Sequence, residues 1–202
     1  MKILNPQIGK DISEGKSLKL NLGSGQQPKP GYYSVDHLPL EGVDVVADLN
    51  KPLDLFPENS VSAIYSNHVF EHIQEFMGLM KEVHRITRPK GGIEIIVPHF
   101  SNAFGYSDPT HVRFFGLYTM NYFVAPEKQQ GARKVPIFYS DTRFVIKDIK
   151  IEFYPITIFD RFFNQYIKRL INYSATTQNF YERRLSSIFH AWQIRYVMTP
   201  DK

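Results

Sequence analysis

Two histidines and a glutamate crowd into "SNHVFEHIQEF", residues 66–76, where His68, Glu71 and His72 spell H-x-x-E-H. Inside one continuous helix this is the inverted zinc-protease signature, with both histidines on one face and a third ligand from elsewhere. Here the apolar run "VSAIYS", residues 61–66, stops just before the motif, so His68 falls at a strand end, ahead of the helix start. The shared face is not provided. No metal ligand is therefore assigned, and an HxxEH zinc hydrolase stays as the minor alternative. On this reading Glu71 suits the positive end of a helix dipole, His72 packs or caps, and His68 sits on a rim.

A second group of residues suits a nucleoside. "LNLGSGQQPKPG" ends an apolar run in Gly23-Ser24-Gly25, which allows a tight turn and close approach of a ligand. The dinucleotide fingerprint needs a further glycine where this chain has Pro28, and no phosphate-loop Gly-Lys-Ser/Thr is present, which disfavours a pyrophosphate. Asp36 ends the next run, in "SVDHLP", where a carboxylate can accept both ribose hydroxyls. Asp48 ends "VVADLN" and can accept from an adenine amino group; Asn67 and His68 come after the fourth run. Taken singly, either aspartate reads better as a turn or cap residue; their coincidence with Gly-Ser-Gly is what favours a ligand. A third group, His99, Asp108 and His111 in "VPHFSNAFGYSDPTHVRFF", offers bases for an oxygen nucleophile, with Asp108 orienting a histidine or a hydroxyl. The competing reading makes Asp108-Pro109-Thr110-His111 a turn and cap.

These residues need elements to position them. Short apolar runs at 18–22, 32–36, 43–47, 61–66 and 93–98 read as strands. Val69, Ile73, Phe76, Met80, Val83 and Ile86 recur at helical spacing, and "RPKGG", residues 88–92, stops that helix. Strands separated by crossovers imply a parallel sheet. Further on, a helix is expected near 115–124, a long strand or hairpin arm over 143–154, an amphipathic helix over 159–173, another over 179–189, and a closing strand over 192–198. The 159–173 stripe is Phe159, Phe162, Phe163, Tyr166, Ile167, Leu170 and Ile171, with Arg161, Lys168 and Arg169 opposite.

The 202 residues suit one domain, with a helical C-terminal insertion at about 156–190. Without cysteine there is no disulfide, thiolate site or cysteine nucleophile. Residues 160–202 carry seven Lys/Arg against three acids, while 1–159 carry seventeen of each, so the net +4 sits in the tail. No aromatic-interleaved basic run points to nucleic acid. There is no apolar leader and no run long enough for a membrane span, so a soluble, cytoplasmic protein is expected.

In order, "LNLGSG", "YSVDHLP", "VVADLN", "FPENSVSAIYSNHVFEHI", "EVHRITRPKGGIEIIVP" and "DPTHVRFF" resemble class I S-adenosylmethionine-dependent methyltransferases, closest to a small bacterial and archaeal branch with "HVxEHI" after strand four. The resemblance covers about residues 18–115. It implies a Rossmann-like α/β three-layer sandwich with a mostly parallel seven-stranded sheet whose last strand is antiparallel. It also implies S-adenosylmethionine as cofactor, held by Leu22, Gly23, Ser24 and Gly25 at the amino-acid part. Asp36 would bind the ribose and Asp48 the adenine edge, with His37 and Leu49 also at the cofactor, and Asn67 and His68 would line its near side. Relatives suggest a small-molecule or saccharide acceptor, methylated at oxygen; a silent cofactor-binding protein is the alternative, and a homodimer stays open. The chain departs from the pattern at Gln27 (for glycine) and Asn21 (for an acid). With so few residues between the first two strands the first crossover helix must shrink or become a turn, and the N-terminal segment leaves little room for a leading helix.

Overall fold

The computed structural model describes residues 1–154 and 166–202. Its core is one sheet of eight strands in the order β1-β4-β3-β2-β5-β6-β8-β7. The strands are β1 (Lys2–Ile3), β2 (Leu18–Leu22), β3 (Tyr33–Asp36), β4 (Val45–Val46), β5 (Val61–Asn67), β6 (Thr87–Pro98), β7 (Phe144–Glu152) and β8 (Gln193–Pro200). Pairs β4–β3, β3–β2, β2–β5 and β5–β6 are parallel. The closing strand β8 runs antiparallel to both β6 and β7. The expected seven strands with a reversed last one are thus present. An eighth, β1, adds antiparallel to β4 at the edge.

Burial explains the strand types. Leu18, Leu20 and Leu22 of β2 are fully buried and Asn21 nearly so, as befits a central parallel strand covered on both faces. β7 and β8 instead alternate; Ile194, Tyr196 and Met198 point inward and their neighbours are half-exposed. The Tyr196 hydroxyl donates to the Gly116 carbonyl at 2.6 Å, and its burial holds its pKa well above the ordinary value.

Helix α1 (Pro6–Ser13) begins at an Asn5 cap with Pro6 in the first turn. It is the leading helix for which the N-terminal segment seemed too short. Helix α2 (Phe76–Ile86) buries Phe76, Leu79, Met80, Val83 and Ile86 in the core. It starts later than the apolar periodicity from Val69 predicts. Residues Phe70–His72 make only a 3-10 turn and Ile73 is extended. The reason is tertiary. The Arg113 guanidinium donates to the carbonyls of Ile73 and Gln74, while the Asn50 side-chain oxygen accepts from Gln74 N and Glu75 N at 2.8 and 3.1 Å. Both ends of this bend are thereby taken out of any helix ladder.

At the other end, Thr87 turns its hydroxyl back to the Val83 carbonyl, and β6 begins at once rather than after "RPKGG". Its register against β5 shifts between Val61 and Ala63. Gly91 sits at this irregularity, where a Cβ would come within 2.9 Å of the Arg88 carbonyl oxygen and 3.2 Å of that of Ser62, so no larger residue fits. No helix forms between β2 and β3; the first crossover is a turn, as its length requires.

The helix expected at 115–124 is a shorter 3-10 segment, Thr119–Phe123. Between β7 and β8 the described chain is helical at 166–171 and in α3 (Ala175–Arg184), which starts four residues before the expected 179. Ser174 caps α3 with Thr177 in a reciprocal pair of bonds. Residues 155–165, including Phe159, Arg161, Phe162 and Phe163 of the expected stripe, lie outside the described residues. Among the described residues no helix is long and apolar enough to cross a membrane.

Candidate functional site

The carboxyl ends of β2, β3, β4 and β5 meet at one edge, and a cavity of about 780 Å³ opens there. Its lining includes Gly23, Gly25, Asp36, His37, Asp48 and Leu49 from the first three strand ends and His68, Val69, His72 and Ile73 from the fourth. Asn50 and Thr110 complete it. This is where an open α/β sheet binds ligands.

The loop after β2 is shaped by its glycines and by Asp36. Gly23 has φ +68° and packs against Val69 so closely that a Cβ would lie 2.3 Å from Val69 Cγ2. Its N–H and that of Ser24 both donate to the Val35 carbonyl, at 2.7 and 3.2 Å. Gly25, at φ +51°, donates its N–H to Asp36 Oδ2 at 2.8 Å. The other oxygen, Oδ1, accepts from Leu38 N at 3.1 Å and lies 3.1 Å from His37 Nδ1. Asp36 is only 5% exposed. It therefore organises the glycine loop and still borders the cavity, since each carboxylate oxygen has lone pairs to spare. Asn21, where the resemblance expects an acid, donates to the Gln27 carbonyl at 3.1 Å and braces the same loop from beneath.

Asp48 does two things at once. It closes an Asx turn, accepting from Asn50 N and Asn50 Nδ2, and the first of these bonds is the main reason its pKa is lowered. It also lines the cavity, next to the buried Leu49. Leu49, Val69 and Ile73 supply an apolar wall.

After β5 the chain turns sharply, and His68 sits at φ +55°, a strained conformation for a residue with a Cβ. Its Nε2 donates to Gln193 Oε1 at 2.8 Å, and Gln193 Nε2 in turn donates to Glu152. Nδ1 faces Glu71 Oε1 at 3.4 Å. Burial opposes its charged form, but the Glu71 carboxylate and Gln193 outweigh that, so its pKa is raised. His72 turns the other way. Its Nδ1 meets the Thr110 hydroxyl at 2.8 Å, and that hydroxyl donates to Asp108 Oδ1 at 2.6 Å. His68 and His72 thus hydrogen-bond to different partners across a bend and do not share a helix face, so the zinc-protease helix is not formed.

Glu71 departs most from expectation. It is 1% exposed and sits in a three-residue turn with no helix dipole to serve. His111 packs edge-on against His72, ring centroids 4.7 Å apart. Its Nδ1 donates to the Gly105 carbonyl at 2.8 Å, leaving Nε2 3.9 Å from Glu71 Oε1 and 3.7 Å from Asp108 Oδ2. Asp108, Thr110, His111, His72 and Glu71 therefore form one polar corner at the cavity wall. The sequence held Thr110 and His72 as turn and scaffold residues; Asn50, Val69 and Ile73 carried no signal as cavity wall.

Not every expected residue reaches the cavity. Leu22, Ser24 and Asn67 lie beside or beneath it, not among its lining residues. His99 is 1% exposed, with Nδ1 on Ser101 Oγ at 2.8 Å and Nε2 on Glu182 Oε1 at 3.3 Å. Both ring nitrogens are thereby occupied away from the site. Of the aromatics near it, Phe115 is core, while Tyr106 and Phe114 are exposed and stacked at 4.5 Å.

Residues 26–95 match the family model described as a methyltransferase domain. No curated protein matches the chain. Among solved structures, an S-adenosylmethionine-dependent methyltransferase from Archaeoglobus fulgidus is similar at TM-score 0.53 and 18% identity, covering 96% of this chain and 91% of its own. The YcgJ protein from Bacillus subtilis gives 0.54 and 14%, covering 96% and 97%. A methyltransferase from Haloferax volcanii, in complex with the Trm112 activator, gives 0.52 and 12%, covering 95% and 88%. At such identities these likenesses speak for the fold, and the matched residues include the ends of β3, β4 and β5 but not the Gly23–Gly25 loop. Residues 26–95 thus match a methyltransferase domain, and the chain has the fold of these S-adenosylmethionine-dependent methyltransferases.

Proposed function

We propose that this enzyme methylates a hydroxyl of a small molecule or saccharide, with the cofactor held across the strand ends and the acceptor at the His72–Thr110–His111 corner. The cavity fits the cofactor by the chemistry of its donors. Its volume lies within the roughly 300–1,000 Å³ usual for small-ligand sites. The Gly23–Gly25 loop, held in a left-handed turn at both glycines, takes the amino-acid part. Asp36 accepts the ribose hydroxyls, with His37 beside it, and Asp48 and Leu49 meet the adenine. His68, at the end of β5, borders the position of the amino-acid part.

S-Adenosylmethionine supplies an electrophilic methyl group for in-line displacement when bound. The protein has then to align an oxygen nucleophile, keep water out and receive its proton. His111 and Asp108 stand at the corner that can do this, and His99 does not. The exposed Tyr106–Phe114 stack beside that corner is a platform suited to the apolar face of a sugar ring.

The single observation carrying the reading is Asp36. A buried carboxylate clamps Gly25 N–H to the β3 end at the cavity wall, which couples the cofactor loop to the ribose position. The test is transfer of a labelled methyl group to a panel of sugars, phenols and amines. Label in alkali-stable methyl ethers of hydroxyl acceptors is expected; label only in amines would overturn the oxygen assignment.

A further inference from the structure

The corner at the cavity wall holds an unexplained carboxyl group. Glu71 is buried, and neither of its oxygens has a hydrogen-bond partner among the described residues. Leaving both oxygens of a buried carboxylate without a hydrogen bond is costly. His68 Nδ1, at 3.4 Å from Oε1, is beyond good hydrogen-bond distance for an N–H···O contact and leaves Oε2 unmatched.

The two other histidines make the deficit worse as neutral rings. A carbonyl can only accept, so the bond to Gly105 fixes the proton of His111 on Nδ1. The Thr110 hydroxyl spends its proton on Asp108, so it accepts from His72 Nδ1. Both rings then present a bare Nε2 toward Glu71 Oε1, at 4.0 Å from His72 and 3.9 Å from His111. One atom from each of Glu71, His72 and His111 falls within a 4.8 Å cluster. Three electron-pair donors converge on one point, and their far nitrogens are already anchored. Metal-binding histidines are held in this way.

We infer that Glu71 Oε1, His72 Nε2 and His111 Nε2 bind a divalent transition-metal cation. One carboxylate and two imidazoles suit zinc, manganese or cobalt better than calcium. Bonds near 2.0–2.2 Å require the side chains to close in by about half an ångström each. The H-x-x-E-H motif is then a metal motif after all, with His111 taking the place that His68 leaves.

His72 and Thr110 line the cavity, so the open coordination positions face it. Resting on the methyl-transfer reading above, the cation would hold the acceptor oxygen and lower the pKa of its hydroxyl, the proton passing to Asp108 or solvent. His111 then acts as a ligand, and the base role falls to Asp108.

The test uses untagged full-length protein stripped with a chelator. Zinc, manganese and cobalt chlorides are titrated by calorimetry, and the cobalt form is examined for visible d–d absorption. One equivalent per chain is expected, with affinity lost in Glu71→Gln and His72→Ala. Thr110→Val, which frees the far nitrogen of His72, should weaken binding by about 10–100-fold. His190→Ala, on the exposed surface, should bind as the wild type does. Should Glu71→Gln fail to fold, the wild-type cobalt spectrum and Thr110→Val decide the matter. No stoichiometric binding, or binding indifferent to Thr110→Val and His72→Ala, overturns the inference. S-Adenosylhomocysteine binding without metal binding sinks the metal site alone; metal binding without S-adenosylhomocysteine binding sinks the cofactor assignment alone.

Discussion

Gly23→Ala tests how the glycine loop after β2 is built, and its cost has two separable sources. The first is backbone strain. At φ +68° an alanine pays about 1–2 kcal/mol for the left-handed conformation. The second is overlap. The new methyl would lie 2.3 and 2.6 Å from the two γ-carbons of Val69, against the roughly 3.5–4.0 Å of relaxed carbon contacts. Relieving it in packed surroundings costs about 1–3 kcal/mol. The total is about 2–5 kcal/mol, a large part of a domain's stability. Val69→Ala removes both γ-carbons and leaves only Cβ, at 3.0 Å, so the double variant should recover most of the overlap while keeping the strain. Urea unfolding monitored by circular dichroism would give the four free energies, and the cycle should show about 1–3 kcal/mol of favourable coupling. A Gly23→Ala cost below about 0.5 kcal/mol, or additivity within that margin, would refute this account of the loop.

Other consequences are simpler. Asn50→Ala removes the oxygen that caps Gln74 N and Glu75 N, and should cost about 1–2 kcal/mol in urea unfolding, as loss of a helix cap does. Tyr196→Phe removes one of two bonds to the Gly116 carbonyl, which keeps the one from Thr119 N, and should cost about 0.5–1.5 kcal/mol by the same assay. Asp11 accepts from the Tyr33 hydroxyl at 2.6 Å and from Lys16, and its pKa is lowered from 3.8 to about 2. Its stabilising effect is full above the unfolded value and lost as pH falls through the folded one. Asp11→Asn should therefore destabilise at pH 6, and the difference in melting temperature from wild type should shrink between pH 4 and pH 2.

Much of the site was legible because strand ends announce themselves. Gly23-Ser24-Gly25, Asp36 and Asp48 each terminate a short apolar run, and a parallel sheet puts such ends on one edge. The division of His68 from His72 was legible for the same reason, since a residue at a strand end cannot share a helix face with the next turn of chain. The features hidden from the sequence came from long-range contacts. The late start of α2 depends on Arg113 and Asn50, far away in the chain. The burial of Glu71 depends on Val112 N donating to its carbonyl and on His111 packing beside it. His99 looked like a base because it comes directly after a strand; Glu182, from a helix 83 residues on, takes it out of play.

Calorimetric titration of the wild type with S-adenosylhomocysteine, beside Asp36→Ala, tests the central claim most directly. One site per chain is predicted, with Kd on the order of micromolar, weakened at least tenfold in a variant that lacks the Gly25 clamp and the ribose acceptor. Folded wild-type protein that binds neither S-adenosylhomocysteine nor S-adenosylmethionine would contradict it.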